Sequence, residues 1–240
     1  MPSRRPRVLC AGVYLAQREN TAEHITGVFA RNQRVDLVQR WIALTAGGQK
    51  GRPDVAGTIA VVCEPAPKFA LLNRLLTDLT AFDWIILCDD DIEVAEGFVD
   101  ALIMTAQRFD FALCQPARTH DSYVDHYFVT QLSGLLARQT RFVEIGPVVC
   151  IRRDAAPLLL PFNDNCGMGW GLDFIWPVII ENAGMRLGII DSVPVAHRIR
   201  KPTANYVHAE ADREMARTLA ANPHLTYQQA FQIVEGYCDG

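Results

Sequence analysis

No two of the seven cysteines, at positions 10, 63, 88, 114, 150, 166 and 238, stand in a C-x-x-C spacing. That argues against a zinc ribbon. An odd count without a disulfide-type pattern predicts a reducing compartment, the cytoplasm. Cys10, Cys63, Cys88, Cys114 and Cys150 lie in or beside apolar runs and are expected as small buried hydrophobes. No apolar run reaches the ~20 residues that cross a bilayer, so any membrane association is expected to be peripheral. Arg4, Arg5 and Arg7 precede an apolar stretch over 8–16, but that stretch is short and meets Gln17-Arg18-Glu19. It is expected to be a first buried strand, not a signal peptide. Positive charge is not in excess: 23 Lys and Arg against 27 Asp and Glu give a net charge of −4. That argues against a dedicated nucleic-acid binder. Gly (16) and Pro (13) are too few for collagen or low complexity, and 50% hydrophobic with 21% charged residues excludes a disordered chain. Neither a repeat nor a linker is visible, and 240 residues can bury one sizeable core.

Short apolar β-rich runs alternate with helical spacing. Strands are predicted over 7–15, 35–44, 58–63, 84–88 and 111–114, and helices over 21–31, from Pro65 and Pro67 to about Leu79, and over 97–109. The glycine- and proline-containing stretch 45–55 is expected to be a loop. In the second half a strand pair or interrupted strand is expected over 142–151, a helix over 170–183, and short strands over 187–190 and 193–196. Val207, Ala211, Met215 and Leu219 share one helical face, and Tyr227, Ala230, Phe231 and Val234 a second. The pattern predicts an α/β sandwich with a mainly parallel sheet. It is expected to be a single domain, with halves 7–115 and 116–202 and a C-terminal helical cap over 203–240.

The sharpest chemical signal is Asp89-Asp90-Asp91, directly after the apolar Trp84–Cys88. A buried strand cannot carry three charges, so they emerge at its C-terminal end, where open α/β sheets bind ligands. Asp89 and Asp91 point the same way if the chain stays extended. Converging carboxylates call for a cation, and hard oxygen donors favour Mg²⁺ or Mn²⁺, which also bridge phosphates. The alternative is a solvated acidic turn capping the next helix. In Gly167-Met168-Gly169-Trp170-Gly171-Leu172-Asp173, glycines permit close backbone approach, Trp170 offers a flat face to a sugar or base, and Asp173 can take a hydroxyl proton; equally, this is a tight turn with a first-turn acid. Neither this stretch nor the glycines of 47–51 match a dinucleotide or P-loop fingerprint. The strand ending at His197, followed by Arg198, Arg200 and Lys201, offers a further metal ligand and cations for a diphosphate. A lone histidine is usually structural and a basic run usually a solvated face, but the order of strand, histidine and basic run favours the functional reading. Ser122, His126 and Glu144 are weaker candidates.

Three blocks together resemble the GT-A-type glycosyltransferases and an uncharacterised plant and bacterial GT-A-like family. They are the strand ending in Asp89-Asp90-Asp91 with Lys68 to Asn73 before it, then Thr140 to Pro147 with Gly169-Trp170-Gly171-Leu172-Asp173, then Ile190 to His197. The resemblance spans roughly 7–202. It implies a GT-A-like (Rossmann-like) fold, whose first half holds the nucleotide sugar and whose second half holds acceptor and metal. It further implies a nucleoside diphosphate sugar donor, a UDP-sugar above all, a carbohydrate acceptor, and Mn²⁺ or Mg²⁺. Asp89 and Asp91 would be the DxD acids and His197 the later ligand, with Asp173 as catalytic base. Lys68, Asn73, Asp89, Asp90, Trp170, Arg198 and Arg200 would bind the donor. Leu172-Asp173-Phe174 departs from the paired acids of related galactosyl enzymes. The expected activity is metal-dependent, hexosyltransferase-type sugar transfer. A metal-dependent nucleotidyltransferase or a non-catalytic nucleotide-sugar-binding protein are the alternatives.

Overall fold

The computed structural model describes residues 4–45, 55–163, 169–201 and 208–238. The glycine stretch 47–51, Cys166, Gly167, Met168, Pro202 and Val207 lie outside the described residues. Among the described residues nine strands form one sheet: β1 Arg7–Leu15, β2 Asp36–Leu44, β3 Thr58–Val62, β4 Trp84–Cys88, β5 Phe111–Arg118, β6 Ala137–Thr140, β7 Val148–Arg152, β8 Arg186–Val195 and β9 Ile233–Tyr237. Their order is β3-β2-β1-β4-β7-β5-β8-β6-β9. The helices are α1 Ala22–Ala30, α2 Lys68–Leu75, α3 Phe98–Arg108, α4 Ala156–Leu159, α5 Leu172–Asn182, α6 His208–Ala221 and α7 Tyr227–Ala230. None of them is long and apolar enough to cross a membrane.

The sheet is mixed. β3, β2, β1 and β4 run parallel, as do β5 and β8. β7 is antiparallel to both β4 and β5, and β6 is antiparallel to β8 and β9. The expected parallel character thus holds for β3, β2, β1 and β4 and again for the β5–β8 pair, while β7, β6 and β9 join antiparallel. β4 is buried at every position, because helices cover both faces. Trp84, Ile86 and Cys88 face a core that includes Ile25 and Phe29 of α1 and Phe98 and Leu102 of α3. Ile85 and Leu87 face the opposite core, with Phe69 and Leu72 of α2 and Trp176 and Ile180 of α5. Gly12 on β1 permits this packing: a Cβ there would stand 2.2 Å from the Trp41 ring and 2.6 Å from the Cys88 carbonyl oxygen.

Several expectations change. α2 stops at Leu75, where Leu76 leaves helical geometry at ψ 58°, and Leu79 belongs to a separate turn that follows Asp78. β5 continues past Cys114 to Arg118, still fully buried. The run 142–151 is a strand only from Val148; residues 142–147 form the β6–β7 loop, with a cis Gly146–Pro147 bond. That loop is apolar because Phe142, Val143 and Ile145 pack into two different cores, not because it is pleated. The two short strands expected near the end of the sheet are one strand, β8. The last helical pattern yields only α7; Val234 lies on β9, which extends the sheet edge and stacks Tyr237 on Phe109 at 4.3 Å. Cys63 is exposed just past edge strand β3, whereas Cys10, Cys88, Cys114 and Cys150 are buried.

Candidate functional site

β4 delivers the three aspartates at its C-terminal end, and the chain then splits their tasks. Asp90 turns inward: its carboxylate accepts the Leu15 N–H at 2.7 Å and pairs with Arg200. Its own carbonyl accepts the Thr21 N–H at 2.6 Å, which ties the start of α1 to this loop. Burial lifts the Asp90 carboxyl above its ordinary range, against the opposing pull of Arg200 and the Leu15 N–H. Asp91 faces His197, with Oδ2 3.3 Å from the imidazole Nε2 and 3.1 Å from the Arg200 guanidinium. Burial would raise Asp91, but the hydrogen bond and charge of His197, with the charges of Arg200 and Lys68, hold it below the usual carboxylate range. Asp89 pairs with Lys68 at the start of α2, and its N–H donates to the Pro147 carbonyl at 2.8 Å.

His197 reaches this place through backbone pairing. Glu93 and Ala196 form an antiparallel bridge of two hydrogen bonds, at 2.8 and 3.1 Å, that clamps the end of β8 to the aspartate loop. The His197 N–H donates to Ser122 Oγ at 2.9 Å.

A cavity of about 150 Å³ opens beside these groups. Lys68, Asp89 and His197 line it together with Gly146, Trp170 and Asp173. Gly169 and Gly171 both adopt positive φ, at 78° and 94°, on either side of Trp170 just before α5 begins. A Cβ on Gly169 would stand 2.5 Å from the Phe69 ring. That turn puts Asp173 in the first turn of α5, where its Oδ1 accepts the Ile145 N–H at 2.7 Å. Burial first, and then the nearby charge of Glu144, push the Asp173 carboxyl well up.

Two expected donor-binding residues stand elsewhere. The Asn73 amide exchanges hydrogen bonds with the backbone of Phe162, at 2.8 and 2.9 Å, and so fastens α2 to the segment after α4. Arg198 grips Glu93 through two hydrogen bonds and also pairs with Asp121, at an exposed position. The expected three-ligand set of Asp89, Asp91 and His197 is not assembled either. Among the described residues no three His, Cys, Asp or Glu groups converge for a metal, because Lys68 draws the Asp89 carboxylate to itself. The remaining pair does fit a divalent ion. Donors about 2.1 Å from one octahedral ion sit about 3 Å apart on adjacent vertices, and Asp91 and His197 are at 3.3 Å. Such ions commonly take one or two protein ligands and complete their shell with substrate phosphates and water.

Sequence reasoning missed Arg118 and Gln115 and underweighted Glu144. Arg118, at the end of β5, donates to Glu144 Oε2 at 2.9 Å and to the Gly146 carbonyl. Gln115 accepts the Glu144 N–H. Burial raises the Glu144 carboxyl, with Arg118 pulling it back. The available signal was a glutamine and an arginine closing an otherwise apolar strand.

No protein-family model and no curated protein matches the chain by sequence. Solved structures do match in shape. A structure of GalNAc-T7 with UDP, GalNAc and Mn²⁺ superposes with a TM-score of 0.60 at 12% identity, over 84% of this chain and 45% of that one. TarS of S. aureus with UDP-GlcNAc superposes at 0.57 and 8% identity, over 90% and 66%. The mannosyltransferase PcManGT from Pyrobaculum calidifontis with GDP-Man and Mn²⁺ gives 0.55 and 16%, over 93% and 67%. The chain thus spans under half of the first and about two thirds of the other two. At these identities the likeness concerns architecture, and the architecture is that of a GT-A-like, Rossmann-type α/β fold.

Proposed function

We propose that the chain is a metal-dependent glycosyltransferase that moves a sugar from a nucleoside diphosphate sugar, a UDP-sugar foremost, to a carbohydrate hydroxyl. One observation carries the reading: Asp91 and His197, from the segments that follow β4 and β8, meet at 3.3 Å beside a cavity that also holds Asp173. In this reading 7–115 is the donor half and 116–202 the acceptor half. Asp91 and His197 hold Mn²⁺ or Mg²⁺, and the bound ion offsets charge growing on the departing diphosphate. Arg200, already against Asp91, and Lys68, already against Asp89, supply mobile cations for the same phosphate oxygens. Asp90 holds Arg200 and the β1 end in place. Trp170 offers its ring face to a sugar. Asp173 takes the proton from the attacking hydroxyl, and its raised proton affinity suits a general base.

Titration calorimetry with UDP, with and without Mn²⁺, tests the assignment. In Asp91→Asn the Mn²⁺-dependent part of UDP binding is expected to vanish while the melting temperature stays within a few degrees of wild type. Undiminished Mn²⁺-dependent binding in that variant refutes the metal site.

A further inference from the structure

Resting on that reading, we infer that Arg118 and Glu144 form a reader of sugar hydroxyls in the cavity wall, and that the cavity accepts an uncharged sugar and disfavours one bearing a carboxylate. Arg118 and Glu144 are 4% and 9% exposed in their side chains, and both line the cavity. Their mutual contact uses only Arg118 Nη2 and Glu144 Oε2. Arg118 Nε and Nη1 and Glu144 Oε1 are buried and have no hydrogen-bond partner among the described residues. Three N–H groups on two nitrogens and one carboxylate oxygen thus stand unsatisfied among the described residues, each with almost no surface of its own, a costly arrangement unless a shift of the pair lets a group in the cavity complete it.

The chemistry of the missing partner follows from this set. A hydroxyl both donates and accepts, so neighbouring ring hydroxyls satisfy the guanidinium and the carboxylate together. A carboxylate satisfies Arg118 but sets like charge against Glu144. Among the other lining groups Asp89 is matched by Lys68, Asp125 and Asp173 are acids, and His126 and His197 are imidazoles, so the like charge in direct reach of a carboxylate on Arg118 is Glu144 itself. A water needs ~10–15 Å³ of such space, so a cavity of about 150 Å³ has room for more than one. The pair lies next to the donor machinery. A Cβ on Gly146, whose carbonyl Arg118 holds, would stand 3.6 Å from Asp89 Oδ2 and 3.8 Å from Lys68 Nζ.

The test is calorimetry on the whole chain with Mn²⁺ and, in turn, UDP, UDP-glucose, UDP-galactose, UDP-N-acetylglucosamine, GDP-mannose and UDP-glucuronate. At least one neutral sugar nucleotide is expected to bind about tenfold tighter than its nucleotide alone, and UDP-glucuronate to lack that gain. Glu144→Gln and Arg118→Lys are expected to erase the gain while UDP affinity stays within about twofold and each variant still melts cooperatively. If Arg118→Lys does not fold, Glu144→Gln decides alone. If the variants keep the donor gain but lose binding of free methyl glycosides to the UDP–Mn²⁺ complex, the hydroxyls read are the acceptor's, which also upholds the inference. It is overturned if both kinds of sugar binding survive, if UDP and sugar nucleotide weaken equally, or if UDP-glucuronate binds as tightly as the best neutral sugar. Absence of any UDP binding to wild type overturns the proposed function, and the inference with it.

Discussion

Asp173 is the residue in which activity and stability pull in opposite directions. Burial, and then the charge of Glu144, lift its carboxyl well above the ordinary range. A carboxyl with a higher pKa folded than unfolded costs the fold nothing below its unfolded value of about 4. Above that pH the unfolded chain ionises more readily than the native one, so stability falls as pH rises toward the folded pKa. Asn keeps an acceptor for the Ile145 N–H and removes the charge. Asp173→Asn is therefore expected to melt higher than wild type at pH 7, with the difference shrinking to nothing near pH 4. Sugar transfer should fall by about 10²–10⁴. Melting curves from pH 4 to 8 beside a transfer assay check both halves; a variant that melts lower at pH 7 contradicts the burial argument. Asp89 and Asp91 teach a related lesson. They share a loop and a residue type, yet one meets a lysine and the other an imidazole.

At the scale of elements, the site depends on how tightly β1, β2 and β4 lie together. Gly12 is where they touch, with the Trp41 ring and the Cys88 carbonyl both inside the volume a methyl would need. The carbonyl is backbone and cannot rotate away, so Gly12→Ala must part the strands. Overpacking of this kind costs about 1–3 kcal/mol, which for a chain of this size is a fall in Tm of several degrees. Thermal unfolding checks it, and an unchanged Tm shows that the strands yield without cost. The β6–β7 loop is the second key element. Asp173, Arg118, Gln115 and Asp89 each hold one of its backbone groups between 144 and 147. Four chemically distinct side chains and backbone groups thus set one wall of the cavity.

For the whole molecule, ligand binding and folding are linked. A ligand present at 100 times its Kd, bound only by the native state, adds about 2.7 kcal/mol. For a 240-residue chain that corresponds to a rise in Tm of roughly 5–10 °C. UDP with Mn²⁺ is expected to produce such a rise, and either component alone a smaller one, because the diphosphate completes the shell that Asp91 and His197 begin. A differential scanning experiment with the four combinations measures it. Equal shifts from UDP with and without Mn²⁺ would show that the ion plays no part.

Period and burial made much of the chain legible without coordinates. β1 and β4 follow from apolar runs of strand length, and α1, α3 and α5 from their spacing within a residue or two, because a core on both faces of a sheet imposes those patterns directly. The acidic exit from β4 was legible for the same reason: charge cannot stay inside such a strand. Tertiary structure alone decided the rest. The direction of β7 and the attachment of β9 depend on where distant strands find edges, which no local pattern encodes. Asn73 and Arg198 are diverted by Phe162, Glu93 and Asp121, partners far off in the chain. Arg118 and Glu144 are drawn together by folding, which buries them with atoms that have no partner among the described residues. A sequence shows a residue's chemistry, but only the folded neighbourhood settles which of its polar groups are already spent.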